Sequence, residues 1–545
     1  MTSAEVGKWN VSQLYKNEKM ALKDFKCIRE NEFPRLKQLC DSGKQVVFCE
    51  CSDVLFQLKK IYLYFQLSYL LDIQSKKYLD ILEEVQCLYG EMLQLFDPNK
   101  DSTIAEIDAE VMEQLMLKID STEQGLSDRY YSILYESGLS VCVNEQGRKI
   151  DINQSSYYSL LMHEERDTRR VIYNIFNEKI LKKYKSELAY ILSMHIENQH
   201  ITSRINNSFR DIGNAVDLSK EALKIYTSIS KNINEYAKCF QSYLKINADL
   251  MGLDYLYPFD LYYELIPNYI KFDYSTGIEM VKKACSRLGK EYKEVIYRAI
   301  EEQWIDAFES KGKNKGAFCY HVEGIHPYVL VNYNETIEEL LVLAHELGHA
   351  INFYFMDTTN EEGNTSVHPL VYEIPAILNE LLVLRELCND LTKHRELFIF
   401  KMLERNLKGL ITTMMEIEFI TIISNMESFV LDQDKIDSIW EELWVKYYGS
   451  KVVRGEYVKY EWVNINWFQS NEDRVSYLLG YIASFNIYES DSKLMRTHYM
   501  DFLKRGKSSD VSNLLKKINI DLESGDYIQQ NIEVIEKYIS EFNKQ

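Results

Sequence analysis

From Val11 to about residue 253, apolar residues recur at three- and four-residue steps with polar residues between them, as in Tyr62, Phe65, Tyr69 and Ile73. That period gathers apolar side chains on one face of a helix, so this stretch is predicted as one helix after another. Turns are marked by Asp97-Pro98-Asn99-Lys100, by the neighbourhood of Ser137-Gly138 and by Asn144-Glu145-Gln146-Gly147. With no fixed-period repeat and no low-complexity linker, a boundary is placed near residue 190. It separates an N-terminal helical lobe, 1–190, from a second domain, 191–545. The pattern changes over residues 313–334. There Gly316-Ala317-Phe318-Cys319-Tyr320-His321-Val322 and Tyr328-Val329-Leu330-Val331-Asn332-Tyr333 are β-branched and aromatic, with a Gly324-Ile325-His326-Pro327 turn between them. Two short strands are expected. Asn334 is then placed to cap a helix, with Thr336 and Glu339 set like a capping box, and Ile337, Leu340, Leu341 and Ala344 carry that helix beyond Phe353.

Composition sharpens this reading. Glycine (21) and proline (7) are scarce among 545 residues, while 46% of the chain is hydrophobic. Few breakers and much apolar surface favour a mostly helical protein with large cores. The 40 tyrosines read as core and helix-interface packing. Lys plus Arg is 63 against 83 for Asp plus Glu, a net charge of −20, which disfavours nucleic acid and anionic membrane as partners. No uncharged apolar stretch has the length of a membrane span, and residues 1–10 carry Glu5 and Lys8 rather than a secretory core. The ten cysteines form no framework, so reduced thiols in a cytoplasmic protein are expected.

The chemistry lies in His345-Glu346-Leu347-Gly348-His349. Two histidines four apart on a helix share one face about 6 Å apart, so both imidazoles can grip one metal ion. Glu346 stands where it can take a proton from a water at that metal. Apolar neighbours on both sides, Leu341 to Ala344 and Ala350-Ile351, argue against a surface helix. Polar groups buried among them are costly unless a metal satisfies them. A catalytic zinc takes a third protein ligand, and carboxylates on the following stretch compete for the role: Glu361, Glu362, Glu373 and Glu380. Glu373 sits in the first turn of the next predicted helix, with Glu380 on the same face as a possible partner of a ligating imidazole. The single histidines His163, His195, His200, His394 and His498 read as surface or core, whereas His321 and His326 flank the strands near the metal helix and are expected to contact substrate.

These residues carry a resemblance. The run Pro327-Tyr328-Val329-Leu330-Val331-Asn332-Tyr333-Asn334-Glu335-Thr336, leading into the HExxH motif, resembles oligoendopeptidase F, a thimet-type zinc oligopeptidase. So does Glu373-Ile374-Pro375-Ala376-Ile377-Leu378-Asn379-Glu380. Weaker echoes include Trp9 to Tyr15, Glu165 to Arg170, and Trp304-Ile305-Asp306 followed by Lys311-Gly312-Lys313, so the likeness runs from about residue 9 to about 490. It implies a mostly α-helical, two-lobed clam-like metallopeptidase with a small β-sheet beside the zinc-binding helix. It implies one zinc ion held by His345, His349 and Glu373, with Glu346 as general base. Residues 328–333, with Tyr328, Val329 and Leu330 at their head, would pair with the backbone of a short peptide. The family cleaves internal bonds of short unstructured oligopeptides in the cytoplasm.

One segment departs from the family. After Glu461-Trp462 the pattern usually reaches Pro-His-Phe and a string of tyrosines, whereas this chain has Val463-Asn464-Ile465-Asn466-Trp467-Phe468. Trp467 stands where the histidine is expected, Asp473 and Val475 where tyrosines are usual, and Tyr477, Gly480 and Tyr481 are retained. In the family such His and Tyr groups donate hydrogen bonds to the oxyanion, and one lost donor costs about a hundred- to a thousandfold in rate. Three readings follow. Tyr477 or Tyr481, or nearby Tyr457 or Tyr460, supplies the donor; the enzyme serves one dedicated peptide, as in leader removal; or the protein binds zinc and peptide with little turnover.

Overall fold

The computed structural model describes residues 7–41, 48–94, 105–136, 139–142, 149–152, 154–207, 218–358, 368–426, 432–506 and 510–542. The turns expected at 97–100, 137–138 and 144–147, and the carboxylates of Glu361 and Glu362, lie outside those residues. Helices dominate what is described, with one small three-stranded sheet and one two-stranded ladder, β1 (Leu139–Cys142) against β2 (Lys149–Ile152). The chain forms two compact units. One comprises Met1–Ile107, Ile270–Val367 and Leu503–Lys507; the other comprises Asp108–Tyr269, His368–Phe502 and Ser508–Gln545. No helix among the described residues is long and apolar enough to cross a membrane.

In the first unit, helices α1 (Phe48–Leu71) and α2 (Lys76–Gln94) pack together as a pair. The buried stripe of α1 is Val54, Leu58, Ile61 and Phe65. Tyr62 and Tyr69 only edge that core, and Ile73, past the helix end, is exposed. Phe65 is thus buried as expected, and Leu63, Tyr64, Leu67 and Leu70 widen the buried face beyond a single stripe.

The sheet has the order β3-β5-β4, with β3 (Ile305–Asp306) parallel and β4 (Phe318–Val322) antiparallel to the central β5 (Ile325–Leu330). The β4–β5 turn is tighter than expected. Gly324, at φ +78°, takes the left-handed turn position, so Ile325 already pairs with Val322 and both His326 and Pro327 join the strand. The register slips between Tyr320 and Val322, opposite Pro327, where the missing N–H cannot serve a ladder. Lys313 locks this sheet. Its buried ammonium donates to Asp306 Oδ1 (2.7 Å), Phe308 O (2.8 Å) and Val331 O (2.7 Å). A buried charge so fully bonded ties the C-terminal ends of β3 and β5 to the loop between them.

Helix α3 (Ile337–Asp357) follows. Its cap is Thr336, whose Oγ1 accepts from Glu339 N at 3.3 Å. Asn334, the expected cap, instead accepts from the Thr336 hydroxyl at 2.7 Å. The cap moves because Glu335 takes a left-handed φ of +67°, so regular helix starts only beyond it. Helix α3 is buried almost all round, with Leu340, Leu343, Ala344, Leu347 and Ala350 fully inside.

In the second unit, α4 (Glu373–Asp390) and α5 (Asn471–Ser490) form the most extensive helix pairing of the fold. Pro375 is tolerated because first-turn N–H groups have no intrahelical acceptor to lose. Gly480 lets α5 approach: a Cβ there would meet Ile377 Cδ1 at 2.8 Å and Glu373 Cβ at 2.9 Å. One turn on, the Ser484 hydroxyl donates to Ile374 O at 2.8 Å.

Candidate active site

The apolar surroundings of α3 force its polar residues into a few defined contacts. His345 and His349 stand one turn apart with rings 84° to one another and Nε2 atoms 3.1 Å apart. Two nitrogens bound to one tetrahedral zinc lie about 3.3 Å apart, so this spacing fits a shared ion. Among the described residues, His345, His349 and Glu373 are the group whose ligand atoms all lie within 4.8 Å of one another. Two imidazoles and a carboxylate, largely buried, make a donor set suited to a divalent transition metal. Glu346 is buried on the same helix, with the Cys319 thiol and the Tyr320 phenol of β4 in its field; burial first, and that carboxylate second, push the thiol up. Glu380 is buried on α4, and both Nε and Nη2 of Arg405 donate to its Oε2, at 2.6 and 2.5 Å.

The sheet residues land differently from expectation. Tyr328, Val329 and Leu330 are fully buried on the central strand. Val329 and Leu330 pair with β3 on one side, and all three pair with β4 on the other. A peptide strand therefore has no free backbone edge at β5. Among the described residues, the outer edge of β4 is the one open beside α3. Sequence pattern alone hides this, because β3 is two residues long and has no period to recognise. His326 stacks on Trp304 (centroids 5.1 Å apart, 3° between planes), and its Nδ1 lies 2.9 Å from Pro327 O. Burial holds its imidazole below the usual range, and the side chain is half-buried between Trp304 and Tyr328. His321 meets Asp357 of α3 through Nε2 at 2.8 Å and stacks on Phe353.

The model of peptidase family M3 matches residues 159–534. The chain belongs to peptidase family M3. It is 25% identical over 479 residues to oligopeptidase PepF of Bacillus subtilis, covering 85% of this chain and 70% of that one. Its fold matches a solved chain from Chlamydophila abortus (TM-score 0.79, 20% identity, 99% and 98% of the two chains). It also matches oligoendopeptidase-F from Enterococcus faecium (TM-score 0.62, 15% identity, 98% and 97%). As an M3 member the chain is a metallopeptidase acting on oligopeptides, and its resemblance to oligoendopeptidase F stands.

The segment expected to differ from the family pattern packs inward. Trp467 is 1% exposed, stacks on Trp462, packs against Tyr130 at 4.8 Å and donates its N–H to Trp462 O at 3.1 Å. Its one donor is thus engaged inside the second unit. Arg474 is 2% exposed and reaches back along the loop, donating to Gln469 O at 2.6 Å and Asn466 O at 2.5 Å. Asp473 is exposed and Val475 buried. Tyr477 is half-buried one turn before Gly480, on the face of α5 that packs on the first turn of α4. Tyr481 wedges against Gly409, with burial raising its phenol and the Arg405 guanidinium opposing that rise.

Proposed function

We propose that the chain is a zinc endopeptidase that cuts internal bonds of short, unstructured peptides. His345, His349 and Glu373 hold the ion, and Glu346 is the general base. The observation that carries this reading is the 3.1 Å spacing of the two Nε2 atoms beside the Glu373 carboxylate. Zinc, when bound, polarises the scissile carbonyl and acidifies the attacking water. Glu346 accepts the water's proton and later passes it to the leaving amine. Tyr477 donates to the oxyanion, because it stands on the α5 face that meets Glu373, whereas Trp467 has no hydrogen to offer. Tyr481 lines the same turn. Glu380, the expected partner of a ligating imidazole, is held in position by Arg405. A substrate strand adds to the free edge of β4, beside α3, which leaves Tyr328, Val329, Leu330 and His326 to support the edge from behind. Metal analysis together with cleavage of a peptide mixture tests the reading. About one zinc per chain and cuts abolished by Glu346→Gln are expected; metal-free, inactive protein after zinc loading would overturn it.

A further inference from the structure

Strand β4 sorts its side chains to two faces. Cys319 and His321 share the face turned toward α3, where His321 meets Asp357 and Phe353. Phe318, Tyr320 and Val322 turn the other way and pack on the core built around α1 and α2. The extra residue of the irregular pairing lies on β5, since one residue separates Tyr320 from Val322 while two separate Ile325 from Tyr328, so β4 keeps its alternation.

At the Val322 end lies a cavity of about 300 Å³ lined by Leu58, Lys59 and Tyr62 of α1, Val85, Gln86 and Tyr89 of α2, and Val322 itself. Leu58, Val85 and Val322 make it apolar, Tyr62 and Tyr89 add ring faces, and Gln86 Nε2 holds the Tyr62 hydroxyl at 3.1 Å. Lys59 stands exposed at the rim with its ammonium 6.0 Å from the Tyr89 ring. The space suits one large side chain.

Residues paired across neighbouring strands point to the same face. A peptide residue opposite Cys319 therefore faces the α3 side. Three positions on, about 10 Å along the strand, the residue opposite Val322 faces the opposite way, into this cavity. We propose that the α1–α2 cavity is a specificity subsite that takes one aromatic or large aliphatic side chain of a peptide laid along the free edge of β4. The proposal rests on the peptide reading above. The rim ammonium of Lys59 repels a basic side chain there.

The test uses one alanine-rich peptide in which Phe, Ala or Lys is moved through each position within four residues of the cleaved bond. Zinc-loaded wild type gives kcat/KM, and zinc-loaded Glu346→Gln gives Kd without turnover. At one position Phe is expected to exceed Ala by about tenfold or more in both readouts, with Lys weakest. Gln86→Trp, an exposed wall residue enlarged to fill the cavity, removes that preference, so that the Phe and Ala peptides no longer differ; Lys59→Trp, from the opposite wall, does the same. A Phe preference that both filled variants keep, or no such preference in Kd, would overturn the subsite. Loss of turnover alone with the Kd pattern intact would count against the peptidase reading instead.

Discussion

Helix α3 and the segment from Glu461 to Tyr481 relate to the family pattern in opposite ways. Along α3 the chemistry-bearing residues keep their spacing, and the surrounding apolar residues hold them in one geometry. Along the second segment the expected histidine has become Trp467, turned inward and hydrogen-bonded to its own loop. A metal helix is defined by local periodicity, so it survives any change that respects the helix. A hydrogen-bond donor on a loop depends on which way that loop packs, and here a buried arginine and stacked indoles decide it.

The largest effect that can break this contrast is at Glu346. Glu346→Gln should lower kcat by about a thousand- to ten-thousandfold with zinc content unchanged, read by single-turnover kinetics and metal analysis. A loss below tenfold would assign the base elsewhere. Trp467→His sharpens the other side. If the indole is packing and not chemistry, restoring the family's histidine costs about 3 kcal/mol in urea unfolding and raises kcat less than threefold. A large gain in rate would show that the loop reaches the reacting atoms. Tyr477→Phe should reduce kcat about a hundredfold with KM little changed, whereas Tyr481→Phe, removing a hydroxyl wedged against Gly409, should do less.

The smallest effect concerns pH. Burial raises the Glu461 carboxyl from 4.5 to about 7, with the Tyr173 hydroxyl 2.6 Å away opposing the shift. Between those values the folded chain holds a proton that the unfolded chain has released, so stability falls as pH rises through the window and levels off above it. Glu461→Gln should flatten that fall, by about 2 kcal/mol between pH 5 and pH 8, in thermal melts of the two proteins.

Much of the site was legible because helix spacing fixes distance. His345 and His349 needed only the period, whereas spacing left Glu361, Glu362, Glu373 and Glu380 competing for the third place, and it was the resemblance to oligoendopeptidase F that singled out Glu373. The mostly helical class followed from scarce breakers and three- to four-residue steps. What escaped depended on contacts distant in sequence. The two-residue strand β3 has no pattern, yet it closes one edge of β5, where a peptide was expected to pair. Pro327 reads as a turn residue, and the structure admits it to a strand only where the ladder slips. Lys313, which the sequence showed only as part of a family echo, is a buried sheet lock. That Trp467 turns inward was not legible, because one of the rings it packs on, Tyr130, lies more than three hundred residues away in sequence.

The central claim is that an intact metal helix makes this chain a peptidase despite the altered segment. The most direct test is mass-spectrometric mapping of cuts in a mixture of unstructured peptides by zinc-loaded protein, beside Glu346→Gln at the same zinc content. The account predicts internal cuts with the wild type and none with the variant. Zinc bound at one per chain with no cuts from either protein would contradict it.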